Sequence, residues 1–518
     1  MISCAILERQ GKWRFVVLAA GLFVAFAPLL PLLWTLRDTS NLSGVFDAGF
    51  RAALLRSLTV AVAVTIIAAT IGIPTGILGA LYDFPLRRLL LALLLLPLLV
   101  PSFLWAIGLS MLRRAAGLPP DTILSGFGGT VITFTALAMP LVIFISLAAA
   151  RAISASQTDA ARLGGGESHL FRSVAKSVLP IGMSTAALAG VLTLSDPGAG
   201  QILGFPGAAS EVLTSFAAQY DLGHATGQCL FLAGVVLLLA LPLTMFVAPK
   251  LAAGLLARDV TPTEARGRRR LAWIAPILFC VLLAATTVLP LAGFVQPLLR
   301  ETPWRRALAE VYRTLGNTSA YALIAAVIAT VGGFVLAIAA GRDNKLRATL
   351  LAALVIIFAM PPALGALGFI YAANVSPAEL DPLLRSRFTV GLELALHSFP
   401  IAAIFGMRAI GTASPSWAEA AAVHGVPLRS YFRKVLCRWS LPAALVSALL
   451  TALLVTADVS SVLLLHPPGE ASLPLAIFSV MANAPEPLVG ALCLFYVAGA
   501  AGILMLGLMV FHFARPKR

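Results

Sequence analysis

Two acids stand in otherwise apolar surroundings: Asp196, within Ser195-Asp196-Pro197-Gly198, and Asp458, within Ala457-Asp458-Val459-Ser460. A carboxylate in such a run is costly to bury, which makes it a candidate for a solute or ion pathway. The competing reading is that each acid caps a helix break, and the Pro-Gly beside Asp196 favours that. Glu393 and His397 are four residues apart, on one face of a helix. They could hold a metal or relay a proton, but a structural couple paired with each other is the simpler reading. No Ser/His/Asp grouping, pair of catalytic carboxylates or HExxH accompanies them. The run Gly164-Gly165-Gly166 is not followed by the Lys-Ser/Thr that a nucleotide loop requires. The five cysteines (Cys4, Cys229, Cys280, Cys437, Cys493) are scattered and odd in number, so they form no disulfide or zinc framework. The chain is therefore expected to carry no catalytic residues, no metal site and no cofactor, and not to be an enzyme.

More information sits in two polar loops. The first reads Ser156-Gln157-Thr158-Asp159-Ala160-Ala161-Arg162-Leu163-Gly164-Gly165, with Leu179-Pro180 downstream. The second reads Ser416-Trp417-Ala418-Glu419-Ala420-Ala421-Ala422-Val423-His424-Gly425, with Leu441-Pro442 downstream. Ser followed three residues later by an acid is a capping-box pattern that starts a helix. Each alanine pair offers a smooth face to another protein. Gly165 and Gly425 can end the short helix in a left-handed conformation. The plainer readings are that Asp159 and Glu419 act only as helix caps, and that the alanines reflect helix propensity.

The elements that must position these residues are membrane helices. Hydrophobic residues make up 59% of the 518, charged residues only 11%, and the mean hydropathy is +0.95. Soluble domains carry about 25% charged residues, so this chain cannot cover a globular surface. Apolar runs predict helices near 13–34, 54–82, 89–112, 129–150, 181–204 and 228–249. A second set follows near 272–295, 318–340, 348–372, 390–408, 443–465 and 488–513. Pro101, Pro140, Pro361 and Pro400 are expected to kink their helices. The net charge of +15 does not point to nucleic acid, because the basic residues cluster beside apolar segments in every second loop. With the amino terminus inside, 26 of the 37 Lys and Arg fall on the cytoplasmic side, so both termini are expected there. The segment after Arg9, Lys12 and Arg14 lacks an evident cleavage site and reads as a retained first helix.

The chain also repeats itself. At an offset of 260 residues, Pro101 matches Pro361, Gly108 matches Gly368, Pro140 matches Pro400, and Gly165 matches Gly425. Asp159-Ala160-Ala161 matches Glu419-Ala420-Ala421, and at an offset of 262 Asp196 matches Asp458. Chance similarity between apolar sequences would match Leu and Ala, not shape-determining Pro and Gly. The reading is an all-α polytopic membrane protein of about twelve transmembrane helices, as two parallel six-helix repeats: 1–250, a basic cytoplasmic linker 251–271, and 272–518.

The two loops resemble the EAA motif (Glu-Ala-Ala, three residues, Gly, then Leu-Pro) of ABC importer permeases with the type I membrane fold. Asp159 departs from that pattern, and the stretch from Gly to Leu-Pro is longer than usual in both copies. The resemblance implies that Asp159, Ala160, Ala161 and Gly165, and Glu419, Ala420, Ala421 and Gly425, couple the chain to an ATPase. It implies two cytoplasmic ABC ATPase subunits, a periplasmic solute-binding protein, and residence in the bacterial inner membrane. The stretch Leu464–Leu473 looks most like ferric-iron permeases; thiamine, polyamine, sulfate and phosphonate are the alternative solutes. An ion-coupled secondary transporter is the rival from another class, and it would be expected to hold more acids within its spans.

Overall fold

A computed structural model describes residues 12–35, 45, 47–219, 221–256 and 271–513. The N-terminal tail, most of the central basic linker (including Arg258 and Arg266–Arg270) and the C-terminal Pro516–Arg518 lie outside the described residues. All regular structure among the described residues is helical. This is the economical way to pair backbone amides in a chain with so little polar surface.

Twelve segments follow in order. They are α1 (Trp13–Phe26), α2 (Ala48–Leu81), α3 (Arg87–Leu99 with Ser102–Ala115), α4 (Gly126–Arg151), α5 (Ala155–Ser195) and α6 (Leu222–Leu255). The rest are α7 (Trp273–Leu298), α8 (Trp304–Ala340), α9 (Asn344–Ala359 with Pro362–Val375), α10 (Arg387–Thr412), α11 (Leu428–Thr456) and α12 (Glu486–Val510). Nine are long and apolar enough to cross a membrane, or eleven if each bent segment counts as one span. The chain is thus a multi-pass membrane protein.

Three expectations are corrected here. The segments α3 and α9 are not gently kinked: they bend by 97° and 82°. The bends fall at Val100-Pro101 and Met360-Pro361, where the residue before proline is extended (ψ 136° and 148°), because proline disfavours the helical region for its predecessor. Pro140 and Pro400, by contrast, lie inside continuous helices. The first predicted span is interrupted at Ala27-Pro28, leaving a helix of 14 residues, about 21 Å and too short to cross the ~30 Å hydrocarbon core alone. The sixth helix runs on to Leu256, into the stretch read as linker.

The cores show how the first and second halves of the chain meet. One apolar cluster joins Val60, Ile73, Phe134, Val174 and Leu203 within the first half. Another centres on Leu336, Leu350, Val390 and Met407 in the second half but takes in Leu18 and Ala252. Two more mix the halves freely, one joining Trp105 and Met111 to Phe294 and Tyr496, the other joining Phe50 and Cys229 to Leu364 and Leu367.

Close approaches of backbone to backbone between the halves fall at Gly108 and Gly368. A methyl carbon on Gly108 would stand 2.5 Å from the Pro290 carbonyl oxygen, and one on Gly368 would stand 1.8 Å from that of Pro28. The two glycines are 260 residues apart (108 to 368) and the two prolines 262 (28 to 290). The turn that ends α1, at Pro28, and the helix α7, at Pro290, each therefore lie against the glycine of the other half's bent third segment. Only a residue without a side chain allows that contact.

Several arginines read as topology signals also bind helix ends. Arg347, fully buried, donates to the carbonyls of Gly341 (3.1 Å) and Met407 (2.5 Å). Arg14, also buried, donates Nε to Ala339 (2.6 Å) and a guanidinium N–H to Ala340, tying α1 to the end of α8. The carbonyls of Ala339, Ala340 and Gly341 are ones that the end of α8 leaves unpaired.

Candidate functional site

The first loop begins with a helix capped by Ser154, whose hydroxyl accepts from Gln157 N at 3.4 Å. In the second loop the corresponding helix, Pro415–Val423, starts after Ser414. The capping-box expectation is therefore corrected. Ser156 and Ser416 lie inside their helices, and Asp159 and Glu419 stand two residues past the position from which a capping-box acid reaches back. Asp159 has only a long contact to Arg162, 3.9 Å away. Both acids are exposed.

The alanine pairs split. Ala160 and Ala420 are exposed, whereas Ala161 is half-buried and Ala421 is buried in a small cluster with Ala418 and Tyr431. Half of each pair faces outward and half anchors the helix, so the expectation of a smooth double-alanine face is reduced to one alanine per loop. One of the two helix ends differs from expectation. Gly425 is left-handed (φ +65°), but in the first loop Gly166 carries the positive φ (+71°), while Gly165 is extended (φ −176°).

The bracing of the two loops is unlike. In the first, the Tyr82 hydroxyl donates to Glu167 Oε2 at 2.7 Å, and Arg162 Nε lies 3.2 Å from Glu167 Oε1. In the second, Trp417 packs edge-on against Trp439 with ring centroids 5.1 Å apart. The Trp439 indole N–H in turn donates to the Ala409 carbonyl at 3.0 Å. Each loop thus has a fixed base and an open outer face. That outer face carries an acid, an alanine and, at its end, a strongly exposed aliphatic residue: Leu163 (91% exposed) and Val423 (83%).

The second constellation is a cavity of about 240 Å³ lined by both halves of the chain. Asp196, Asp458 and His397 all border it, with Ser102, Phe103, Phe134, Phe358 and Phe478 among the other walls. Neither aspartate lies within a long helix, as the sequence suggested; each follows the end of one. Asp196 comes just after α5, and its Oδ1 accepts from Ser102 Oγ and Gly198 N, both at 2.7 Å. Asp458 follows α11 and caps the short helix Val459–Leu465, accepting from Ser461 N at 3.0 Å and Ser461 Oγ at 2.7 Å. They are caps and cavity walls at once. Glu393 and His397 do not form the expected couple. No hydrogen bond or ion pair joins them among the described residues; His397 stacks on Phe358 with centroids 5.7 Å apart, and Glu393 is buried with Oε2 unpaired. Among the described residues, no group of three or more His, Cys, Asp and Glu converges as a metal set.

No family model matches the chain. It is similar to a trehalose transport system permease protein, SugB, of Mycobacterium tuberculosis (strain CDC 1551 / Oshkosh). The two are 30% identical over 188 residues, covering 32% of this chain and 66% of that protein. The match therefore spans just under two thirds of the relative's length.

Several residues of these sites escaped the sequence reading. Leu163 and Val423 are 260 residues apart, and their pairing in the repeat was a signal that could have found them. Tyr82 and Glu167 could not have been found that way, since the repeat places Arg342 and Pro427 at the matching positions. His397, Ser102 and the phenylalanines of the cavity meet only through the packing of α3, α4, α9, α10 and the short helix Leu473–Val480.

Proposed function

We propose that the chain is the transmembrane permease of a binding-protein-dependent ABC importer, built as two copies of one six-segment unit, 1–250 and 272–518. The observation that carries this reading is the pair of loops. At repeat-equivalent positions, two short helices expose an acid, an alanine and an aliphatic tip (Asp159, Ala160 and Leu163; Glu419, Ala420 and Val423) on bases fixed to the membrane helices. Two such knobs suit two copies of one partner, a pair of ATPase subunits that supply the hydrolysis this chain lacks. The reciprocal contacts of Gly108 with Pro290 and Gly368 with Pro28 suit halves that rock about a shared axis. The similarity to a permease of a trehalose transport system supports the same class.

In this reading a solute-binding protein loads the outer face, ATPase closure pushes on the two loops, and the cavity beside Asp196 and Asp458 opens inward. The chain resides in the bacterial inner membrane with both termini in the cytoplasm. For the solute, the resemblance of Leu464–Leu473 supports ferric iron, and the relative's name supports a sugar. The decisive experiment is co-purification with the cognate ATPase. One chain should hold two ATPase subunits, and a stable complex holding one would defeat the two-copy reading.

One observation favours a second reading. Glu393 is buried with an unpaired oxygen near a second acid, Asp458, as an ion-coupled secondary transporter would require. Uptake that persists after ATP depletion and stops on collapse of the ion gradient would select that reading.

A further inference from the structure

Resting on the importer reading, we infer that the cavity between Asp196 and Asp458 is the solute's resting place and that the solute is a small organic cation. The argument starts from which polar groups remain free. Apart from Ser460, the cavity hydroxyls donate within the protein: Ser102 to Asp196, Thr193 to the Gly190 carbonyl at 2.7 Å, Ser195 to the Ala359 carbonyl at 2.8 Å, and Ser398 to the Leu394 carbonyl at 2.6 Å. Their hydrogens are committed within the protein. Asp196 has both of its hydrogen bonds on Oδ1, so Oδ2 remains as an acceptor. What the walls still offer is mostly acceptors, so an occupant must bring the donors.

Charge points the same way. No Lys or Arg lines the cavity, and neither aspartate has a basic partner within 4 Å among the described residues. Behind Asp458 and its partner Ser461 lies Glu393, 3% exposed, with Oε2 unpartnered. It stands one helical turn from His397, which lines the cavity. A buried carboxylate without a counter-charge carries a desolvation cost, and an incoming cation relieves that cost. An anion would add to it. The walls then choose among cations. Phe103, Phe134, Phe358 and Phe478 present ring faces and edges, which suit an ammonium or guanidinium on a carbon frame. A bare metal ion would want more oxygen or nitrogen ligands than converge here. The volume of about 240 Å³ is far above the ~10–15 Å³ that a single water needs.

The test uses the full chain in lipid nanodiscs and isothermal titration. Probes are choline, its neutral isostere 3,3-dimethylbutan-1-ol, agmatine, thiamine, trehalose and citrate. At least one of the three cations should bind saturably, and choline should bind at least tenfold more tightly than its neutral isostere. In Asp196→Asn/Asp458→Asn, the amide oxygens keep both helix breaks capped while the charge is gone. Cation affinity in that variant should fall at least tenfold with an unchanged melting temperature. If the double variant does not insert, the comparison of choline with its isostere in the unaltered chain decides alone. The inference is overturned if none of the cations binds, if the isostere binds as tightly as choline, if the folded double variant keeps cation affinity within twofold, or if trehalose or citrate binds instead. The titration needs neither ATP nor an ATPase, so its failure leaves the importer reading standing, and loss of ATPase association leaves the binding result standing.

Discussion

Replacing Gly425 by valine should weaken ATPase docking without disturbing the membrane helices. The backbone there has φ +65°, and a Cβ built on Gly425 would meet nothing within 4 Å. The Cβ itself therefore meets no clash, and the cost worked here is conformational, about 1–2 kcal/mol for an L-residue in the left-handed region. Valine, branched at Cβ, tolerates that region poorly. A cost of this size lowers the fraction of loops in the docking geometry roughly 5–30-fold, and apparent affinity falls by the same factor. Gly166→Val (φ +71°, ψ −162°, likewise open) should cost at least as much in the first loop, because that backbone region is essentially confined to glycine. The sites are distant and should add, giving a roughly 25–900-fold loss for the pair. Gly164→Ala is the control, since its nearest neighbour would be His169 at 4.0 Å and its φ is not positive. Apparent Kd is read by titrating labelled ATPase onto nanodisc-embedded chain, with membrane levels measured alongside. A double variant that binds within twofold of the unaltered chain would refute the reasoning, because both loops would then dock without the turns that shape them.

Tyr82→Phe removes the hydroxyl that holds Glu167. A hydrogen bond to a charged acceptor is worth about 1.5–3 kcal/mol, so ATPase affinity should fall while the second loop's protease resistance stays unchanged; an unaffected Kd shows that the brace is dispensable. Gly368→Ala places a carbon 1.8 Å from the Pro28 carbonyl oxygen, and overpacking of that kind costs about 1–3 kcal/mol or more. Its melting temperature in detergent should drop, and an unchanged value would mean that the halves do not meet there. Reporters fused after Gly267 and after Arg518 should report cytoplasm and one near Asp221 periplasm; a periplasmic carboxy terminus would make the number of spans odd.

The membrane class, the helical content and the approximate place of most segments were legible in the sequence because hydropathy and proline act locally. The repeat of Gly108 with Gly368 and Pro101 with Pro361 could be read without coordinates for the same reason: each residue type constrains its own stretch of backbone. The two loops were found, but their details were not. Whether Gly165 or Gly166 turns left-handed, and whether Ala160 or Ala161 faces outward, depends on where the following helix is anchored, and Tyr82 and Trp439 set that from outside the motif. The severity of the bends at Pro101 and Pro361, against unbroken helices at Pro140 and Pro400, likewise depends on what packs around each proline. The cavity was the least legible feature, since Asp196 and Asp458 are 262 residues apart (196 to 458) and meet His397 only when the two halves close on each other. The sequence alone determined a helical, repeated membrane protein with two information-rich loops. Only tertiary packing decided that its isolated acids share one chamber, because a buried charge is defined by what surrounds it in space, and its neighbours along the chain do not supply that.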